Sequence, residues 1–153
     1  MSVSRIRTLL CLGLFAIGLA ASAAHAVVLQ GRGELHAGGN GIAAFQMVGM
    51  LAVSGGGALI IDDDIRVETQ GVGRVTDLGD GRLLYEGYGR AIARSTAPFT
   101  AKITGAKIRL HAKGKGRAFL KGCGRLEVGA PDEGGLDEEW GPDLELDFDS
   151  DGS

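Results

Sequence analysis

Cysteine, proline and aromatic residues are all scarce in this 153-residue chain, which has two Cys, three Pro and 5% Phe, Trp and Tyr together. Cys11 lies in an N-terminal segment expected to be removed. Cys123 is then the single thiol, which excludes an internal disulfide and a cysteine zinc site and leaves the fold to stand on packing, with a bridge between chains as its one disulfide option. Beyond that segment the only histidines are His36 and His111, and no Ser or Cys has a recognisable base partner nearby in sequence. Hydrolases built on the usual constellations are disfavoured, and a non-enzymatic role without a cofactor is expected. So few aromatics also argue against an outer-membrane barrel, whose lipid face needs aromatic girdles.

Glycine is in excess. After residue 26 the chain holds 25 of its 27 glycines in 127 residues, far above the usual share of about 7%. Gly at every third position with abundant Pro would mean collagen, and neither holds here; so much Gly is equally incompatible with a helical bundle.

The N-terminus reads as an export signal. Arg5 and Arg7 precede an apolar stretch from Leu9 to Leu19, and Ala24-His25-Ala26 offers the small residues of a cleavage site. Cleavage after Ala26 is expected, giving an exported protein, periplasmic or extracellular, with no membrane span after processing.

From Val27 to Gly105 the odd-numbered positions are almost all apolar or Gly, as in Leu35, Ala37, Ala43, Phe45, Met47, Leu51, Leu59 and Ile61, while Arg32, Glu34, Arg66, Glu68, Arg74, Arg82, Glu86, Arg90 and Arg94 are even. A period of two over this length means strands with one buried and one wet face. Beyond Gly105 the phase reverses, and Ala106, Ile108, Leu110, Ala112, Ala118, Leu120, Leu126 and Val128 form the apolar set. A two-residue hairpin turn at Thr104-Gly105 accounts for the reversal, and odd-length turns are expected at Gly38-Gly39-Asn40, Ser54-Gly55-Gly56, Asp62 to Asp64 and Asp77 to Gly81. The expected fold is all-β: an antiparallel meander of about eight strands over residues 27–130, forming a sandwich or small closed barrel. A β-solenoid is the alternative, because Gly-x-Gly recurs every eight residues, at 31/33, 39/41, 55/57, 71/73, 79/81 and 87/89.

The Gly-x-Gly pairs lack the third Gly and the helix of a dinucleotide fingerprint, and are read as packing and curvature devices. Gly38-Gly39-Asn40-Gly41-Ile42 resembles the opening of the calcium-binding repeat of RTX toxins. Ala43 stands where a ligating Asp belongs and no second copy follows, so no site is assigned. Leu35-His36-Ala37 and Leu110-His111-Ala112 begin two near-matching segments. Should the first and last strands of a closed barrel meet, His36 and His111 would come together on the outer face, as a metal site incomplete for want of a nearby carboxylate.

Charge is segregated. Residues 27–130 carry 14 basic and 9 acidic side chains, whereas 131–153 carry ten acidic and no basic ones. Lys107, Arg109, Lys113, Lys115, Arg117, Lys121 and Arg125 share the outward parity and form the candidate anion-binding face. Anionic polysaccharide, lipid head groups or an acidic protein are its expected partners; nucleic acid ranks low, since only Phe119 is available for stacking. The tail, 131–153, has a disordered composition, with Trp140 as a candidate anchor. Within it Asp147, Asp149, Asp151 and Gly152 resemble the opening of an EF-hand calcium loop, which leaves a weakly calcium-responsive tail as the alternative function and an enzyme of unrecognised type as a third. Outward apolar residues such as Ile42, Val48, Met50, Ile60 and Tyr88 would, if gathered, mark an oligomer interface, a membrane contact or a second sheet layer.

Overall fold

A sequence that alternates this consistently forms sheet nearly throughout. The computed structural model describes residues 29–31, 33–129, 136–139 and 144–148, and among these there are six strands and no helix. They are β1 (Leu29–Gly31), β2 (Glu34–Asp62), β3 (Arg66–Asp77), β4 (Arg82–Val128), β5 (Leu136–Glu139) and β6 (Leu144–Phe148). Every pairing is antiparallel except that of β1 with β6. Among the described residues the sheet is not closed, since β3 pairs only with β4 and β1 only with β6. Among the described residues no helix is long and apolar enough to cross a membrane. The expected signal segment 1–26 and Trp140 lie outside the described residues. Two pieces of the tail expected to be disordered, β5 and β6, are strands paired to β4; the unpaired backbone groups of an exposed strand offered them partners that composition alone does not reveal.

Two strands are far longer than a domain of this size is wide. At about 3.3 Å per residue, the 29 residues of β2 and 47 of β4 would run roughly 95 and 155 Å if straight, against a radius of gyration near 13 Å for a hundred-residue domain. They must curve, and the register records how. Val67, Ala93, Leu51, Ala112, Leu35 and Val128 are successive partners across one row. Leu35, Leu51 and Val67 are sixteen residues apart, so the chain from Glu34 to Asp77 returns to the same row every sixteen residues, and β4 travels back between its passes.

The turns differ accordingly from expectation. Asp77 to Gly81 is a tight reversal, with Leu78 N–H donating to Arg82 O at 3.0 Å and Gly79 N–H to Asp77 Oδ1 at 2.8 Å. Asp62 to Asp64 interrupts the strands, but β2 and β3 run in the same direction on either side of β4, so no hairpin is made there. Gly38-Gly39-Asn40, Ser54-Gly55-Gly56 and Thr104-Gly105 lie inside continuous strands, and six strands replace the expected eight.

The reversal of phase has a different cause too. Ala106 pairs with Gly56, whereas Arg109 pairs with Ser54, so Lys107 and Ile108 together face the single residue Gly55. This is a β-bulge. One extra residue flips every later side chain to the other face, as a two-residue turn would. Lys107 has φ 54°, the left-handed conformation such a bulge uses, and its N–H is held by Asn40 Oδ1 at 2.6 Å.

On the inward face the alternation holds. Leu35, Phe45, Met47, Leu51, Ile61, Phe99 and Ile103 on odd numbers, and Ile108, Leu110, Leu120, Leu126 and Val128 on even ones, are buried in one cluster. Each large side chain removed from water contributes about 1.5–3 kcal/mol. Among the described residues no polar or charged side chain is buried.

Glycines cross this face in a row of their own: Gly87, Gly57, Gly105, Gly41 and Gly122 are successive partners. A Cβ built on Gly41 would stand 2.8 Å from Gly122 Cα, and one on Gly122 equally close to Gly41, so the two backbones touch where side chains would otherwise lie. Gly41 also has φ 146°, strained for any L side chain. Gly41→Ala is expected to cost roughly 2–4 kcal/mol in urea unfolding. Gly38→Ala, whose Cβ would meet only Ile108 O at 3.7 Å, should cost less than about 1 kcal/mol.

Candidate functional site

The outward parity and the winding together decide which charges meet. Arg90, Ser54, Arg109, Gly38 and Arg125 are successive partners across one outward row. Three arginines, all of β4, thus stand on its successive passes about 10 Å apart, with only Ser54 and Gly38 of β2 between them. A groove of about 600 Å³ opens between the first two, lined by Arg90, Lys107, Arg109, Ser54, Gln70 and Tyr88 among others. A second, of about 540 Å³, lies between Arg109, Arg125, His36 and Glu127. Tyr88 is 76% exposed at the side of the first groove.

All seven cations expected to bind anions, Lys107, Arg109, Lys113, Lys115, Arg117, Lys121 and Arg125, are exposed. They do not form one patch. Lys107, Arg109 and Arg125 flank the two grooves, and Lys113 pairs with Met50 and Glu34 two outward rows away. Arg117 lies beside the tail, its Nε 3.1 Å from Asp147 Oδ1, and Phe119 pairs with Glu145 of β6. Arg90, Lys107 and Arg109 ion-pair with no described acid, whereas Arg94 and Arg66 share Glu68 at 3.4 and 3.8 Å. Arg90 was missing from the expected face, although its parity already turned it outward; its nearness to Arg109 depends on Ser54 lying between them, a pairing that spacing along the chain does not reveal.

Of the calcium candidates, Asp147 sits in β6 and is engaged by Arg117; Asp149 and Asp151 lie outside the described residues. Cys123 is half-buried opposite Asn40 and free.

His36 and His111 are direct partners, which explains why the near-matching segments around them lie side by side in opposite directions. They meet through the pairing of β2 with β4, in a sheet that does not close. Their rings stack with centroids 4.1 Å apart and planes 14° from parallel. The carboxylate expected to be lacking is present: Glu34 Oε1 lies 2.6 Å from His111 Nε2 and 3.3 Å from His36 Nε2. Residues two apart on a strand share a face, so Glu34 was available beside His36 from the sequence. Burial pushes the Glu34 carboxyl up, but the hydrogen bonds and charge of His111, then His36, outweigh it and hold the group below its ordinary value.

Comparison with family models, with curated proteins and with solved structures finds no match to this chain. The chemistry therefore rests on the residues themselves.

Asn40 positions the bulge that turns Lys107 toward the first groove. Asn40→Ala leaves the exposed Lys107 N–H to water and is expected to cost about 0.5–1 kcal/mol in thermal or urea unfolding, with Asn40→Asp largely restoring it.

Proposed function

We propose that this is an exported, non-enzymatic β module that binds an extended anionic polymer, foremost an acidic polysaccharide, along its outward arginine row. One observation carries it: Arg90, Arg109 and Arg125 stand in line at a regular spacing over two open grooves, with small residues between them. A linear, repeating cation array suits a linear, repeating anion better than a compact one. Arginine forks bind sulfate and carboxylate oxygens with two parallel hydrogen bonds, and exposed Tyr88 offers a face on which a sugar ring can rest. Export is supported by the basic, apolar and small-residue succession of residues 1–26, and a binding role by the lack of a nucleophile and base pair in sequence.

In architecture we read the chain as a hairpin wound on itself, the sixteen-residue return being one turn. The row through Gly41 and Gly57 and the pair Gly49 and Gly114 lie eight residues apart on β2, which supports two corners per turn and two facing layers, between a sandwich and a solenoid. The octad of Gly-x-Gly is then half a turn. Oligomerisation is proposed at the β3 edge, where Val75, of inward parity, is nonetheless 54% exposed.

The acidic tail competes for the same charge. Its β6 covers the Arg117 side of β4 and leaves the Arg90 side to a partner.

Retention on heparin across a salt series tests the assignment. Arg90→Ala and Arg109→Ala should each weaken binding about fivefold, the equivalent of about 1 kcal/mol per exposed charge, while Arg66→Ala should change little. Retention equal to the parent in both arginine variants overturns the row as the site, and preference for anionic vesicles over heparin replaces polysaccharide with lipid. Removal of residues 131–153, which carry ten acids, should raise the eluting salt concentration, provided the melting transition survives.

A further inference from the structure

We propose that Glu34, His36 and His111 form a binding site for one divalent transition-metal ion of the zinc class. The three side chains gather their ligand atoms: two imidazole nitrogens and one carboxylate oxygen all lie within 4.8 Å of one another. Ligands of these types bind zinc at about 2.0–2.2 Å, so neighbouring donors around a tetrahedral ion stand about 3.3 Å apart. His36 Nε2 and Glu34 Oε1 already stand at 3.3 Å, and the 2.6 Å between His111 Nε2 and Glu34 Oε1 needs to open by only a fraction of an ångström.

Two features of the fold favour the ion. His36 and His111 are fixed on neighbouring strands, so much of the ordering of the site is accomplished by folding. Both Nε2 atoms lie beside the same carboxylate oxygen, and a splaying of the stacked rings lets a single cation meet all three donors. The side chains are 37%, 33% and 22% exposed for His36, His111 and Glu34, which leaves a side open for the ion to enter and for water as a fourth ligand. Glu127, opposite His36, adds negative charge nearby, and Lys113, opposite Glu34, opposes it. Two nitrogens with one oxygen suit borderline ions such as Zn²⁺, Ni²⁺ and Cu²⁺, whereas Ca²⁺ and Mg²⁺ require mostly oxygen.

The site does not depend on the polymer-binding reading, and its test is separate. Untagged chain from Val27 onward, stripped with chelator, is titrated with Zn²⁺ by calorimetry and by NMR of the imidazole nitrogens. One ion per chain with micromolar affinity is expected, with the resonances of both His36 and His111 shifting together and Ca²⁺ producing neither effect. His111→Gln and Glu34→Gln should each weaken Zn²⁺ at least tenfold, and Cys123→Ser and Asp147→Asn should leave it unchanged. The NMR shifts of the unmutated chain decide the matter even if a variant fails to fold. No uptake at millimolar Zn²⁺, uptake that leaves the two histidine spectra unmoved, or a folded His111→Gln chain that binds like the parent overturns the site.

Discussion

The fold depends on two backbones touching where side chains would normally keep them apart. Gly41 meets Gly122, and Gly49 meets Gly114, with room for no Cβ on either partner. A pleated sheet with side chains on every inward position has a minimum radius of curvature set by those side chains. Rows of glycine lower it locally, and because the glycines line up across neighbouring strands, all the strands can bend at the same row. Strands many tens of ångströms long can then enclose a small core without separate hairpins. Sheet continuity satisfies the backbone at each corner, where a loop would have to find turn bonds for itself.

The same constraint explains what could be read from the chain. Which way a side chain faces is a local property with a period of two, so the inward assignments of Leu35, Phe45, Ile103 and Leu120 and the outward ones of Arg109 and Lys113 follow directly from parity. Whether a Gly-rich segment bends or reverses is decided by what pairs with it. Gly38-Gly39-Asn40 has the composition of a turn, yet Gly38 faces Arg109 and Arg125, and Gly39 faces Ile108 and Gly124, across the sheet. The reversal of phase after Gly105 was ambiguous for a stricter reason. A bulge and a two-residue hairpin both insert one unit of parity, and only the partner strand distinguishes them.

Contacts between residues distant in sequence were the least legible. His36 lies beside His111 because the register of β2 on β4 is set by inward side chains along the whole of both strands, most of them far from either histidine in sequence. Glu34 was the exception, since its place on the face of His36 required only the strand period. The arginine row shows both situations. Each arginine was assignable to the outward face, but their alignment follows from the sixteen-residue return of the chain, which only the pairing of β2 with β4 reveals.

Winding also changes how charge along the chain becomes charge in space. A cationic run from Lys107 to Arg125, laid on a straight strand, would form one stripe that a partner or the tail would cover as a whole. Curved over the sheet, its parts take different neighbours: Arg109 and Arg125 join Arg90 over the grooves, while Arg117 meets Asp147 of β6. Exposed charges are screened beyond about 10 Å at moderate salt, so each part responds mainly to its own neighbours. An acidic tail of larger total charge than the body can therefore neutralise one part of the basic surface and leave another available. Bulge, glycine row and tail strand act on the same property of the molecule, namely which outward residues share a row, and in this chain the row is the unit in which function has to be sought.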